Sequence, residues 1–323
     1  MTKNLLETGP PRRDGLTFDQ TVPRTLAHRR ALGEVYVADT VQAGPAEFLA
    51  AIQLPRAHSL WFDRTVDYHD PLSTIEAIRQ AMLVVGQRYG QVPADNPLSL
   101  QRMAFSVEDL SAFRDDRRSP LEGIVRIHSD QGRPGDYFVD TAFEATLTID
   151  SALALTVRGS GIVFTRDAYD GMRLVQRAER ATGVTGAGPV VTLVEPVRVG
   201  RRDHRNVVLA TVSHDDGVVL VVDQSHPSFF DHPYDHVPGP LLLEAFRQAA
   251  ILASGSPDTP VVTAAEIEFA GFAELDAIVE CTTETDAESA LGGTEVVVGF
   301  HQFGKQVAHG RIELSPYPAG SYR

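Results

Sequence analysis

One polar signature occurs twice in this sequence. Glu76, Arg79 and Gln80 stand in Glu-Ala-Ile-Arg-Gln-Ala, and Glu244, Arg247 and Gln248 stand in Glu-Ala-Phe-Arg-Gln-Ala. On a helix, a Glu followed by an Arg at i+3 and a Gln at i+4 puts all three on one face. Around the second set, residues 240–253 are otherwise Pro, Leu, Ala, Phe and Ile. Charges in so apolar a helix are costly unless they are paired or line a cleft. The set therefore reads either as an intrahelical salt bridge with a structural duty or as the polar wall of an apolar pocket, and its duplication favours the wall.

The stretch before each set adds further candidates. His226, His232 and His236 precede the second, and His58 and His69 precede the first. His232 is a candidate general acid or base. His232 and His236 are four apart, a spacing that admits metal ligation, but Pro233 and Pro238 make the segment a loop and the carboxylates are off ligand spacing, so no metal is expected. Pro238-Gly239-Pro240 leads into the second helix, with Pro240 suited to its first turn. The N–H groups of Gly239 and Leu241 are then able to polarise a carbonyl or an anion. In the first copy Pro71 replaces Gly239, so one donor is missing and the two sites are unequal.

The elements that must position these groups follow from the repeat. Residues 58–81 and 226–249 align without a gap, with nine of 24 positions identical, so the chain reads as an internal duplication. A length of 323 residues agrees with two domains. In the first half, 33–38 and 47–54 read as strand-like, a helix runs from Leu72 to Tyr89, and strands follow at 98–107, 122–127, 137–149 and 152–163. In the second half, strands at 207–212 and 218–222 flank an Asp215-Asp216-Gly217 hairpin turn. A helix from Pro240 to Ser254 comes next, then strands at 261–269, 276–283, 294–302 and 306–314. Residues 168–182 have amphipathic helical spacing, and the glycine-rich run from Gly183 reads as a linker. The expected units are a flexible leader (1–21), a first domain (22–167), a connector (168–193), a second domain (194–315) and a loose tail (316–323). One helix with a run of antiparallel strands in each half implies an α+β fold in which a sheet wraps a central helix.

Composition narrows the partners. The net charge of −14 argues against nucleic acid. No run approaches the length of a membrane span, and the first residues hold no apolar signal core, which reads as a cytoplasmic protein. Cys281 is the only cysteine and reads as a buried strand thiol. Arg29-Arg30 and Arg201-Arg202 lie near the start of each half; they read as a solvated face, or more sharply as a docking patch for an acidic carrier protein.

With these motifs quoted, the chain resembles a known family. Phe229-Phe230-Asp231-His232-Pro233, then His236-Val237-Pro238-Gly239 and Glu244-Ala-x-Arg247-Gln248-Ala, is similar to the A-factor synthase (AfsA) family of γ-butyrolactone biosynthesis proteins. Arg56-Ala-His58-Ser, His69-Asp70-Pro71-Leu and Glu76-Ala-Ile-Arg79-Gln80-Ala resemble the family's first half. The resemblance implies two tandem hotdog domains forming an intramolecular pseudo-dimer. It implies transfer of a β-ketoacyl group from acyl carrier protein to dihydroxyacetone phosphate, with no cofactor. In that chemistry Glu244 or Glu76 is the base, its pKa raised by apolar surroundings. Gly239 polarises the thioester carbonyl, Arg247 or Arg79 takes the phosphate, and Gln248 and Gln80 line the substrate site. A hotdog thioester dehydratase, a thioesterase and a non-catalytic acyl-binding module remain alternatives. Arg64 opposite His232, and a loop two residues too long, set the chain apart from the dehydratase pattern.

Overall fold

The computed structural model describes residues 15–131, 138–180, 190–213, 217–256, 259–286 and 293–317. The first half carries β1 (Val37–Gln42), β2 (Glu47–Leu54), α1 (Pro71–Arg88), β3 (Leu98–Val107), β4 (Leu121–Gln131), β5 (Phe138–Ile149) and β6 (Ala152–Phe164). Helix α2 (Arg166–Arg180) follows. The second half carries β7 (Val191–Leu193), β8 (Leu209–Val212), β9 (Val218–Leu220), α3 (Gly239–Ser254), β10 (Val261–Phe269), β11 (Glu280–Asp286), β12 (Thr294–Gln302) and β13 (Lys305–Ser315).

The strands form one antiparallel sheet in the order β1-β2-β4-β5-β6-β3-β10-β13-β12-β11-β9-β8-β7. Apart from β7, the order reads the same outward from the β3–β10 seam, so the halves are related by a pseudo-twofold axis there. The seam runs from Ala264 opposite Ser106 to Glu268 opposite Arg102. This is the expected pair of hotdog units sharing a continuous sheet. α1 packs on β1, β2 and β4, α3 packs on β8, β11, β12 and β13, and the two helices touch. Burial explains why α3 is so apolar: every residue from Leu241 to Ile251 is buried, Glu244, Arg247 and Gln248 included. α1 is started by Asp70, whose side chain accepts the Leu72 N–H at 3.0 Å, with Pro71 in the first turn. α3 ends at Gly255, which takes the left-handed conformation (φ 59°) that stops a helix at little steric cost.

Several expectations need correction. Residues 33–38 are not one strand: a 3₁₀ turn spans Leu32–Glu34 and β1 starts only at Val37. The cause is Gln80, which takes the Glu34 carbonyl and the Tyr36 N–H at 2.9 Å each and ties the chain to α1 just before β1. The leader is not loose where it is described, because Leu16 is 1% exposed and packs with Ala38, Leu49 and Ala51. Val191–Leu193, assigned to the connector, pairs with β8 as an edge strand. Tyr317 in the tail packs against Tyr68, the rings tilted by 43° with centroids 5.3 Å apart. The linker from Gly183 and the turn at Asp215-Asp216 lie outside the described residues. Cys281 is a buried thiol in β11, its pKa pushed up to about 12 by burial. Among the described residues no helix is long and apolar enough to cross a membrane.

Candidate functional site: two unequal copies of one charge cluster

The polar face of α3 is closed on itself. Arg201 grips Glu244 bidentately, Nε to Oε1 at 2.9 Å and Nη2 to Oε2 at 2.6 Å. Arg247 reaches Oε1 at 3.3 Å and Gln248 donates to it at 2.6 Å. Arg201 is 0% exposed and Glu244 1%. The first half supplies the remaining partners: Arg201 Nη1 donates to the carbonyls of Leu60 and Asp63 at 3.0 Å. Asp70 Oδ2 lies 3.0 Å from Arg247 Nε and 3.7 Å from Arg201 Nη2. Two guanidiniums thus face two carboxylates. Tyr317 is partly buried beside this cluster; burial and then the Asp70 carboxylate push its phenol pKa up.

The copy on α1 has the same plan and a different charge balance. Glu76 pairs with Arg29, accepts from Arg79 Nε at 2.8 Å and Nη2 at 2.9 Å, and accepts from Gln80 at 2.9 Å. Where the first half has Asp70, the second half has Pro238. Arg29 and Arg79 therefore share Glu76 without a counterpart of the Asp70 contact. Arg29 Nε is buried without a hydrogen-bond partner. The Arg79 side chain is 26% exposed against 9% for Arg247. Two guanidiniums sharing one carboxylate, with one of them open to solvent, suit an anionic group.

His232 belongs to this second cluster, not to that of Glu244. Asp231 accepts the N–H groups of Arg30 and Ala31 at 2.5 and 2.8 Å, which hangs its loop on the opposite half. Asp63 does the same in reverse with Arg202 and Asp203, at 2.9 and 3.1 Å. The imidazole of His232 thereby lies in the field of Arg29 and Arg79; burial first, then Arg29, lowers its pKa. Its Nδ1 is buried 3.6 Å from Asp231, too far for a hydrogen bond, and has no partner. In the other copy Arg64 takes this position and pairs with Asp115. Asp70 meets Arg247, and the residue that matches Asp70 in the second half is Pro238, followed by Gly239. No heavy atom lies within 4 Å of where a Gly239 Cβ would be. The Leu241 N–H is not a donor to a ligand there, because it turns to the Pro238 carbonyl at 3.0 Å.

The electrostatics overturn one expectation outright. Burial alone would raise both glutamates, but Arg79 and Arg29 hold Glu76 down at about 2, and Arg201 and Arg247 hold Glu244 low. Neither is a base poised near neutrality. Gln80 and Gln248 act as braces: Gln248 takes the Val208 N–H at 3.0 Å and the Asn206 carbonyl at 2.7 Å, matching Gln80 in the first half. Arg29 and Arg201, expected on a solvated or docking face, are the buried partners of the glutamates at 6% and 0% exposure. A signal for them existed: the Arg-Arg pair itself recurs, ahead of the same helix in each half. His58 and His226 accept backbone N–H groups through Nδ1 and shape the loops. His236 bonds Asp235 at 2.7 Å. Two hollows of about 540 and 690 Å³ lie over the β3–β10 seam, away from both glutamates, and a third of about 570 Å³ is lined by His58, Phe62, Asp63, Arg202 and Asp203.

The sequence model of the A-factor biosynthesis hotdog domain matches residues 13–164 and 184–318. The chain belongs to the A-factor biosynthesis hotdog family. Two curated relatives share 32% identity with this family member. Both are named 2-oxo-3-(phosphooxy)propyl 3-oxoalkanoate synthase; the one from Streptomyces virginiae aligns over 87% of this chain and 93% of its own length. The one from Streptomyces coelicolor aligns over 91% and 92%. Among solved structures, the 12:0-ACP thioesterase from Umbellularia californica aligns over 86% of this chain and all of its own with a TM-score of 0.45 and 11% identity.

The buried titratable groups of this family member predict how it responds to acid. Burial, then neighbouring arginines, lowers His28 and His69 from 6.5 to about 4. A group depressed in the folded state stabilises it fully above its unfolded pKa and loses that contribution as pH falls through the folded value. The histidine contribution is therefore lost between pH 6.5 and about 4, and that of Glu76 between 4.5 and about 2. Each shift corresponds to on the order of 3 kcal/mol before solvent screening discounts it. Calorimetric Tm at fixed ionic strength should begin to fall below about pH 6.5; a level Tm from pH 7 to 5 would contradict buried neutral histidines.

Proposed function

We propose that this chain is an acyltransferase that moves a β-ketoacyl group from an acyl carrier protein thioester to a hydroxyl of dihydroxyacetone phosphate. The product named for the relatives is an ester of a 3-oxoalkanoic acid with a phosphorylated hydroxyacetone, the precursor of a γ-butyrolactone or butenolide signal. The observation that carries the proposal is the α1 cluster: Arg29 and Arg79 share one carboxylate, Arg79 is open, and a neutral His232 with an unpartnered Nδ1 stands beside them.

The chemistry divides among these groups. Arg79, backed by Arg29, takes the phosphate, and Glu76 holds the two guanidiniums in register instead of moving a proton. The neutral His232 imidazole, its side chain 27% exposed, accepts the hydroxyl proton as the oxygen attacks the thioester carbonyl. The C–O bond forms, the C–S bond breaks, and the proton passes to the departing thiolate. The Gly239 N–H at the start of α3 stabilises the carbonyl oxygen as it gains charge. The Glu244 copy, with its cations matched by Glu244 and Asp70, supports the structure and binds no phosphate.

Thiol release from a β-ketoacyl thioester tests the reading. Release should require dihydroxyacetone phosphate, and Arg79→Ala should raise the KM for that acceptor about 10- to 100-fold while the thioester KM stays within about twofold. Thiol released without the acceptor would mark a thioesterase. A change confined to the thioester KM would remove Arg79 from the phosphate.

A further inference from the structure

The residue before each buried arginine differs between the copies, although the backbone does not. Gly200 precedes Arg201 with φ 69°, and His28 precedes Arg29 with φ 50°. Both are in the left-handed region, which glycine enters freely and a residue with a Cβ enters at a cost. In the second copy only glycine fits, since a Cβ on Gly200 would lie 2.9 Å from Arg247 Nη2 and 2.6 Å from Thr259 Cγ2. In the first copy the same turn carries an imidazole. A strained non-glycine conformation beside a charged cluster points to function.

The tautomer of that imidazole is set. The Gln87 side-chain nitrogen lies 2.8 Å from His28 Nε2 and 3.1 Å from the Leu26 carbonyl. A carbonyl only accepts, so that atom is the amide NH₂ and donates to both. His28 Nε2 is then an acceptor, and its proton is on Nδ1. His28 is the residue next to Arg29, and Gln87 ties its ring to α1, the helix that carries Arg79; burial first, then the charges of Arg79, His232 and Arg29, disfavour a charge on it. At neutral pH it is an uncharged N–H donor within a cationic cluster.

We infer that His28 is a further binding residue of the Glu76 site, donating its Nδ1–H to the phosphate of the acceptor. The inference rests on the reading that the phosphate binds there. It explains why strain is tolerated in this copy alone: the copy that is closed by Asp70 has glycine, and the copy that is open to an anion has a donor.

The test uses the full chain and inorganic phosphate, followed by calorimetry and thermal unfolding for His28→Gly, His28→Asn and Arg79→Ala. His28→Gly should weaken phosphate binding about tenfold, the value of one hydrogen bond to a charged group. It should leave Tm within about 2 °C of the parent or above it, because relief of backbone strain offsets the lost ring contacts. His28→Asn, which tolerates the left-handed turn and keeps an N–H donor, should recover most of the affinity. If His28→Gly binds phosphate like the parent while Arg79→Ala does not, His28 is outside the site and the inference falls. If Arg79→Ala also binds like the parent, the phosphate reading itself falls. A Tm loss beyond about 5 °C in His28→Gly, with no recovery of binding in His28→Asn, would make His28 a packing residue and overturn the inference.

Discussion

Glu244→Ala is expected to destabilise the folded protein by roughly 3–5 kcal/mol, the usual cost of stranding a buried charge. Arg201 has no exposed surface and would lose both bonds of its bidentate grip, keeping the Leu60 and Asp63 carbonyls and the more distant Asp70 carboxylate at 3.7 Å. Asp70 would then face both guanidiniums, Arg247 at 3.0 Å and Arg201 at 3.7 Å, which leaves one buried cation in excess, and Arg201 is the less well paired. Urea unfolding measures the loss directly. The pair Glu244→Ala with Arg201→Met should recover part of it, because the second change removes the unpaired cation. Glu76→Ala should cost a similar amount, since the Arg79 side chain at 26% exposure can turn to water but that of Arg29, 3% exposed, loses its carboxylate. A Glu244→Ala protein that stays within about 1 kcal/mol of its parent yet transfers no acyl group would return Glu244 to the role of base that its sequence position suggests.

What was legible in the sequence was whatever repeats or alternates locally. The strands at Leu98–Val107, Val261–Phe269 and Thr294–Gln302 fall on the expected residues, and α1 and α3 start within a residue of expectation. Those elements are periodic, and tertiary contacts agree with their local preference. The repeated Glu-x-x-Arg-Gln was legible as a paired polar face. Its charge state was not, because a buried carboxylate rises or falls according to partners far along the chain. Glu244 is held low by Arg201, 43 residues before it, and Glu76 by its helix neighbour Arg79 together with Arg29, 47 residues before it. The grouping of His232 was hidden for a similar reason. Its neighbours in sequence lead to Gly239 and Glu244, but Asp231 binds the backbone of Arg30 and Ala31 some 200 residues away and carries the imidazole to the other half. The Asp70-for-Pro238 difference was visible in the repeat, but its meaning needed the ion pair across the pseudo-twofold axis.

His232→Ala should lower kcat about 10²- to 10⁴-fold, the range for loss of a positioned proton acceptor, with the KM for dihydroxyacetone phosphate and the Tm near those of the parent. The pH profile separates it from a carboxylate base. Burial and then Arg29 lower the His232 pKa from 6.5, so the neutral acceptor persists below that value. The parent's kcat/KM should stay level from pH 8 through 6.5 and fall only below 6.5. A base at Glu76, with its pKa near 2, would give no acid limb above about pH 4, within the range where the protein is folded. The residual activity of His232→Ala should lack the limb that the parent shows. His232→Gln keeps a polar group of similar reach but cannot take a proton, so it should be as slow as the alanine variant. Full turnover by either variant would pass the proton to another group, and the arginines of the α1 cluster would remain as its anion site.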